Sequence, residues 1–380
     1  MRVALFYFVL YTSVGLILPY LPPYYRTLGF SGKEIALAVS VQPFLSILVP
    51  PLWGYLADRT RRPVWLLGLA TLGAAIAFVP MLWARSVGAV VAVLALFSIF
   101  STPLGSLIDS IAVVEARRIG TDYARLRLWG SLGFVAASWS FGQWLAHGGA
   151  AGDAVAWILA AVIGYALVAR TLAPVPVAGH LEPPSVAEAG TLLRRPAMLL
   201  FLAANLLHWA ALAPYHMLFA LHLEGLGASP ASVGAGFTAA VAAEVLVMWR
   251  FRDLARRLPL GVILGLAYGS GVVRWLLTGT LASGTAIAAL QLLHGLTYGA
   301  FFVGSMLWLE REVPERLRAT GRALFTAVSI GIGGVGGNVL AGALFDVGGG
   351  GLAFRAAALL DLLPPLLLLA AWRLAPHERR

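Results

Sequence analysis

Five ionisable residues lie inside stretches of the chain that are apolar enough to cross a lipid bilayer. They are Arg127, Glu244, Arg274, His294 and Asp361. Placing a charged side chain at the centre of a membrane helix costs about 2.5–3.5 kcal/mol on insertion scales. A chain that keeps several such residues typically uses them to bind a polar solute or to carry protons through the membrane.

The composition and length of the chain predict a membrane protein. Of its 380 residues, 60% are hydrophobic and only 12% are charged, whereas a soluble domain is about a quarter charged. A membrane helix takes about 20 residues. We therefore predict an all-α membrane protein with twelve transmembrane spans at 3–27, 33–57, 63–83, 87–114, 124–147, 153–172, 197–223, 231–251, 260–280, 284–308, 320–345 and 351–373.

The positive charge is concentrated in the short segments that connect the predicted spans. The formal net charge is +10, and 21 of the 27 Lys and Arg residues fall in cytoplasmic segments when the N-terminus is placed inside. Cytoplasmic loops of membrane proteins carry such an excess. We therefore expect a multi-pass protein of the bacterial inner membrane, with both termini cytoplasmic and with no nucleic-acid partner.

The sequence lacks the motifs of several other protein classes. It has no Cys, which excludes disulfides and thiolate chemistry. It contains no His-Glu-x-x-His, no Gly-x-Ser-x-Gly and no phosphate-binding Gly-x-x-x-x-Gly-Lys-Ser/Thr. We expect no enzymatic activity, no cofactor and no metal site, and a polytopic intramembrane enzyme is only a remote alternative.

A long polar stretch divides the chain into two halves. We predict an N-terminal six-helix bundle at 1–172, a cytoplasmic linker at 173–196 and a C-terminal six-helix bundle at 197–380. Short matches recur between the halves at offsets of 195–198 residues, for example Pro19-Tyr20 with Pro214-Tyr215. Parallel repeats of this kind are typical of secondary transporters, whose substrate site lies near the membrane midplane between the repeats.

The sharpest motif lies between the second and third spans. Residues 54–63 read Gly-Tyr-Leu-Ala-Asp-Arg-Thr-Arg-Arg-Pro, which resembles the loop signature Gly-x-Leu-Ala-Asp-Arg-x-x-Arg-Arg of the major facilitator superfamily. The resemblance implies two pseudo-symmetric six-helix bundles and a conformational latch formed by Gly54, Asp58, Arg59 and Arg62. Glycine at position 54 permits a close helix contact, and the acidic Asp58 at a helix end can pair with a basic group or a helix N-terminus.

A second segment narrows the resemblance to one branch of the superfamily. Residues 123–134 read Tyr-Ala-Arg-Leu-Arg-Leu-Trp-Gly-Ser-Leu-Gly-Phe. They resemble the start of the fifth helix in the proton symporters related to lactose permease, a branch that includes nucleoside and phenylpropionate transporters. The resemblance implies that Asp109 and Arg127 bind substrate together. Phe134 stands where that permease has a tryptophan stacked on the galactose ring, which keeps an apolar contact but argues against galactosides.

The second half carries the residues that the resemblance assigns to proton coupling. Glu244 matches an acidic residue of the branch, and the 20-residue spacing of Arg274 and His294 matches its arginine–histidine pair. Where lactose permease has its proton-carrying glutamate, this chain has Thr297. We therefore expect Glu244 or Asp361 to carry the proton, since a carboxyl group in a low-dielectric cavity holds a proton more readily and a nearby arginine drives it off.

The seventh span carries further polar residues. We expect Asn205 and Tyr215 to contact the substrate. His208, His216 and His222 share this span, but their spacings of 8 and 6 residues place them on different faces of a helix. This arrangement argues against a metal site and favours ordinary polar lining.

These observations lead to one leading hypothesis and one close alternative. We expect a secondary active transporter, monomeric in the lipid bilayer, that imports a small polar or amphiphilic solute together with protons by alternating access. Sugars, nucleosides and aromatic acids are the candidate substrates. The alternative is a proton-driven efflux antiporter of amphiphilic compounds, which the glycine-rich eleventh span favours.

Overall fold

The protein is described here by a computed structural model, which covers residues 1–174 and 186–374. Every regular element in these ranges is helical. The first half contains α1 (Arg2–Thr27), α2 (Gly32–Ser46), α3 (Val49–Thr60), α4 (Pro63–Phe78), α5 (Val87–Ser101), α6 (Leu104–Ile119), α7 (Tyr123–Ala146) and α8 (Asp153–Ala169). The second half contains α9 (Val186–Leu193), α10 (Pro196–Gly225), α11 (Pro230–Arg257), α12 (Leu260–Thr278), α13 (Gly284–Leu290), α14 (Phe301–Glu312), α15 (Arg318–Phe325), α16 (Gly334–Leu360) and α17 (Leu363–Leu374).

The chain separates into two compact units. One comprises Met1–Glu182 with Val233–Ala235, and the other comprises Pro183–Ser232 with Gly236–Arg380. Part of the predicted linker, residues 175–185, lies outside the described residues. The remainder of that stretch contains the short helix α9, which the sequence did not lead us to expect.

The described helices account for all twelve predicted spans. Nine helical segments in the described ranges are long and apolar enough to cross a membrane. One of them, Thr320–Leu374, holds two spans, because the backbone leaves the helical conformation at Gly348 and Gly349. The other two spans are α7, which carries two arginines near its start, and α8, which has 17 residues. The protein is therefore an all-helical, multi-pass membrane protein.

Several spans are interrupted. The second span breaks at Ile47 and Leu48, between α2 and α3. The tenth span contains a 3₁₀ turn at Gln291–Leu293 and a π-helical segment at Gly295–Ala300. The eleventh span contains a second π-helical segment at Thr326–Gly333. Because π-helical turns are rare and frequently occur at functional sites, they indicate the tenth and eleventh spans as candidate locations of a functional site.

Glycines bring the first and fifth spans into close contact within the first unit. A Cβ atom added at Gly15 would lie 2.5 Å from the backbone oxygen of Phe134, and one added at Gly133 would meet the backbone of Phe8. Ordinary van der Waals contact to a Cβ begins near 3.4 Å. Only glycine therefore permits this approach, as in other tightly packed membrane helices.

The second unit repeats this arrangement between its own first and fifth spans. There α10 packs against the π-helical segment Thr326–Gly333 and against α16. An added Cβ at Gly333 would meet the backbone of Leu206, and one at Gly337 would meet that of Ala210. The glycines of the eleventh span thus serve close helix packing, and the two halves share the same helix-pair geometry.

Candidate functional site

The first unit contains a cluster of polar side chains from three helices, Tyr7 and Tyr11 on α1, Asp109 on α6 and Arg127 on α7, which we call the tyrosine cluster. The two tyrosines lie one turn apart, so their side chains share a face of α1. The Tyr7 hydroxyl donates to Oδ1 of Asp109 at 2.5 Å. Nη1 of Arg127 donates to the Tyr11 hydroxyl at 2.6 Å. The fold therefore gathers the two predicted substrate ligands, and holds each through a tyrosine.

The tyrosine cluster is partly open and chemically versatile. Tyr7 is buried, whereas Tyr11, Asp109 and Arg127 are half-buried. The Arg127 guanidinium carbon lies 5.2 Å from the Tyr11 ring centre and 6.0 Å from that of Tyr7, within the range of cation–π attraction. Phe134, two turns further along α7, is 9% exposed. The cluster offers a carboxylate, a guanidinium and phenol hydroxyls, which together can donate to and accept from the hydroxyl groups of a solute.

The second unit contains a buried arginine with a nearly complete set of hydrogen bonds. Arg274 on α12 donates to Oε1 of Gln291 through Nε at 3.0 Å and through Nη2 at 2.5 Å. Nη1 donates to Oγ1 of Thr297 at 2.7 Å. The guanidinium lies against the rings of both Tyr215 and Trp275, with its carbon 4.3 Å from each ring centre. A desolvated cation–π contact contributes about 2 kcal/mol, which helps to offset the burial of this charge.

His294 connects this arginine to Glu244 on α11. Nη1 of Arg274 lies 2.9 Å from Nδ1 of His294. A guanidinium can only donate, so Nδ1 must accept and a neutral His294 carries its proton on Nε2. That nitrogen lies 3.7 Å from Oε2 of Glu244, whose side chain is 22% exposed. We call Arg274, Gln291, His294, Thr297 and Glu244 the arginine cluster, a chain of contacts that leads from a buried cation to a partly exposed carboxylate.

Asp361 belongs to a separate, fully buried arrangement. Its Oδ1 lies 2.6 Å from Nδ1 of His208 on α10, and both side chains are 0% exposed. Nε1 of Trp275 donates to Oδ2 of Asp361 at 3.0 Å. The second ring nitrogen of His208, Nε2, lies 2.8 Å from the backbone oxygen of Thr297. We call His208 and Asp361 the buried pair.

Irregular backbone brings these groups together. Asp361 caps the end of α16 at the interruption that precedes α17, in the middle of the twelfth span. Gln291 and Thr297 lie in the 3₁₀ turn and the π-helical segment of the tenth span. A Cβ at Gly271 on α12 would overlap the Asp361 carboxylate. A glycine at this position therefore allows Asp361 to approach the helix that carries Arg274 and Trp275.

Two predicted substrate contacts of the seventh span lie inside the packed helices. Asn205 is 0% exposed. Its Nδ2 donates to the backbone oxygen of Phe201 at 2.6 Å, and its Oδ1 accepts from Ser305 at 2.9 Å. Asn205 thus joins α10 to α14 in the described conformation. Tyr215 is 2% exposed, and the guanidinium carbon of Arg274 lies 4.3 Å from the centre of its ring.

The predicted latch lies at the end of α3. An added Cβ at Gly54 would meet nothing within 4 Å among the described residues, so this glycine makes no close helix contact in this conformation. Arg59 lies one turn from Tyr55 and donates to its hydroxyl at 3.2 Å. Arg62 precedes α4 as its N-cap residue. The side chain of Asp58 lies outside the described residues.

Sequence reasoning did not assign Gln291 or His208 to a functional role. Gln291 was not selected, although it stands three residues before His294, a spacing that places both side chains on one side of a helix. His208 was interpreted as ordinary polar lining, whereas it is the partner of Asp361. His208 lies seven residues, or two turns, before Tyr215 and therefore on the same face of the helix. Because Tyr215 was already a predicted site residue, this shared face could have indicated a functional role for His208. Among the described residues, no group of three or more histidines and carboxylates could hold a metal ion.

Comparison with known proteins places the chain in one transporter family. Residues 1–356 match the model of the MFS_1 like family. The chain is 31% identical over 390 residues to the maltose permease of Geobacillus stearothermophilus, which covers 99% of this chain and 96% of the permease. It is 29% identical over 342 residues to the probable 3-phenylpropionic acid transporter of Escherichia coli (strain K12), covering 86% of each.

A solved structure shares the fold. The crystal structure of the nucleoside transporter NupG superposes on this chain with a TM-score of 0.85, covering 98% of both chains at 18% identity. At this identity the likeness concerns the fold alone. The arrangement of helices described above is therefore that of an experimentally determined membrane transporter.

Proposed function

The chain belongs to the MFS_1 like family of the major facilitator superfamily, and we propose that it imports a small hydroxylated solute, with a sugar as the first candidate, in symport with protons. Membership of this family establishes that the protein is a secondary transporter of a small molecule and not an enzyme. The substrate and the coupling ion are the parts that we infer.

The preference for a sugar rests on the likeness to maltose permease and on the tyrosine cluster. That relative matches nearly the full length of both chains. Asp109 and Arg127 present a charged acceptor and a charged donor in half-buried positions. Hydrogen bonds to charged groups contribute about 1.5–3 kcal/mol each, so such a pair suits a solute with several hydroxyl groups. Phe134 would supply an apolar contact, and nucleosides and aromatic acids remain the other candidate substrates.

The observation that carries proton coupling is the contact between Glu244 and His294. The carboxylate is partly exposed, while the histidine is 7% exposed and is already bound to Arg274 through its other nitrogen. Adding a proton to Glu244 or His294 changes the electrostatic interaction between these two residues, and it also changes their interaction with the buried guanidinium of Arg274. Because Thr297 stands where lactose permease has its proton-carrying glutamate, Glu244 and Asp361 are the carboxyl groups in this unit that we assign to coupling.

The remaining roles follow from the family resemblance. We propose that Asp58, with Arg59, Arg62 and Gly54, stabilises one conformation of the transport cycle from the loop after the second span. We also propose that both termini face the cytoplasm, because the excess of Lys and Arg falls in the segments on that side. The functional unit would be a monomer.

The proposal is tested by substrate-induced pH change in lightly buffered cells that express the protein. Maltose and other sugars, nucleosides and phenylpropionate are added in turn, and external pH and radiolabelled uptake are recorded. We expect external alkalinisation and concentrative uptake with a sugar, both lost in Glu244→Gln. The matched control is Glu315→Gln, which makes the same change at an exposed carboxylate before α15 and should behave as the unaltered protein.

Each class of result has a distinct meaning. Alkalinisation with nucleosides or phenylpropionate, but not with sugars, would reassign the substrate and keep symport. Uptake that requires Na⁺ and moves no protons would refute the coupling ion. Acidification on addition of amphiphilic cations, without uptake of any of these solutes, would establish the efflux antiporter instead.

A further inference from the structure

The hydrogen bonds around the buried pair require a proton between His208 and Asp361. The backbone oxygen of Thr297 can only accept, so the 2.8 Å contact with His208 uses an Nε2–H donor. The Trp275 indole can only donate, so Oδ2 of Asp361 accepts. The remaining contact joins Nδ1 and Oδ1 at 2.6 Å. Without a proton, these two atoms would be facing acceptors, and they would not approach so closely.

We propose that His208 and Asp361 form an internal proton-binding site, occupied in the described conformation, and that this site carries the transported proton. The proton sits either on the carboxyl oxygen or on the imidazole nitrogen. Both forms hold one proton and have no net charge, so the assignment does not depend on which is present. The transport role rests on the proton coupling proposed above, whereas the occupancy of the site does not.

The proton-binding site is connected to the arginine cluster through Thr297. His208 binds the backbone oxygen of Thr297, while the side chain of Thr297 accepts from Arg274. Thr297 therefore links the buried pair, through its backbone oxygen, to the arginine cluster, through its side chain.

Loss of the proton would leave one negative charge in the interior of the unit. The titratable or charged groups that face Asp361 are His208 from α10, with Tyr268 and Arg274 from α12. His294 of the tenth span bonds to the same arginine. A buried charge is tolerated only when it is paired, and Arg274 already lies on the Trp275 ring that donates to Asp361. Deprotonation would therefore draw the guanidinium away from His294, the residue that contacts Glu244, which links proton release to the arginine cluster.

The transport role is tested with Asp361→Asn in proteoliposomes. The amide oxygen can still accept from Trp275 and the amide nitrogen can donate to His208, so the variant resembles a pair whose proton never leaves. Exchange of labelled for unlabelled substrate at equal concentrations requires no net proton movement and should persist. Concentrative uptake driven by a pH gradient should be lost. His208→Gln, which lacks the basic nitrogen, should give the same split, and Asp346→Asn, at an exposed position on α16, should change neither activity.

Concentrative uptake by Asp361→Asn and by His208→Gln at the unaltered rate would overturn the carrier role. If the unaltered protein itself moves no protons with any substrate, the proposed symport fails, and the carrier role fails with it. Occupancy of the site is then decided by a measurement that needs no substrate.

That measurement is the pH dependence of the melting temperature of the full-length protein in detergent. Above about pH 6.5 an unfolded chain has a neutral histidine and a charged aspartate, so a folded pair that keeps its proton binds one proton more than the unfolded chain. The stability of the unaltered protein should then fall as pH rises from about 6.5 to about 8.5, because proton binding favours the folded state progressively less. Asp361→Asn has no such proton, so its melting temperature should fall less over the same pH range. Parallel curves for the two proteins would overturn the assignment.

Discussion

Replacing Tyr7 by phenylalanine removes one hydroxyl group and leaves the ring in place. That hydroxyl donates to Asp109 at 2.5 Å from a side chain that is 0% exposed. A hydrogen bond to a charged group contributes about 1.5–3 kcal/mol. Tyr123 also interacts with Asp109 and remains in place, so the substitution removes one donor and not the whole arrangement. We expect the free energy of unfolding to fall by about 1.5–3 kcal/mol.

The same chemical change at Tyr165 provides the matched control. Tyr165 on α8 is also 0% exposed, and its ring packs against Phe6 with 6.2 Å between the ring centres. Among the described residues its hydroxyl has no hydrogen-bond partner. A buried polar group without a partner costs about 1–3 kcal/mol. Tyr165→Phe should therefore leave the free energy of unfolding unchanged or raise it.

The two variants are compared by equilibrium unfolding in mixed detergent micelles, followed by tryptophan fluorescence and by helical circular dichroism. Substrate uptake is measured alongside, because the hydroxyl of Tyr7 orients a predicted substrate ligand. We expect a higher KM for Tyr7→Phe and no change for Tyr165→Phe. Equal effects of the two substitutions on stability would refute the reasoning. They would show that the Tyr7 hydroxyl, bonded to Asp109, stabilises the fold no more than the unpartnered hydroxyl of Tyr165 does.

Two further substitutions test packing and charge geometry. Gly15→Ala places a Cβ 2.5 Å from the Phe134 backbone oxygen, and overpacking of this kind costs about 1–3 kcal/mol. Gly68→Ala on α4 is the control, because a Cβ there meets none of the described residues within 4 Å, and it should not destabilise the protein in the same unfolding assay. Arg274→Lys keeps the positive charge but loses the planar fork that binds Gln291 twice. We expect Arg274→Lys to lower kcat/KM for uptake at least tenfold, which corresponds to a loss of about 1.4 kcal/mol or more of transition-state stabilisation. Uptake at the unaltered rate would show that only the positive charge matters.

The sequence by itself determined the class of protein and most of the residues that form its polar clusters. A bilayer leaves backbone groups without water, so spanning segments must satisfy their hydrogen bonds as helices, and long apolar runs can be recognised without a structure. The same reasoning makes an ionisable residue within such a run conspicuous, because its insertion is costly. Arg127, Glu244, Arg274, His294 and Asp361 were found in this way.

The tertiary structure alone decided how these residues are partnered. His208 and Asp361 are 153 residues apart in the chain, and nothing in the local pattern specifies that their helices meet. The interruption of the twelfth span at Asp361 and the π-helical turn at Thr297 arise where helices pack, because freed backbone groups find partners on neighbouring segments. Hydrophobic periodicity indicates that a segment is a helix, but its rotation against the neighbouring helices follows from side-chain packing. The rotation of these helices places His208, which the sequence pattern did not distinguish from other polar residues, against the buried carboxyl group of Asp361.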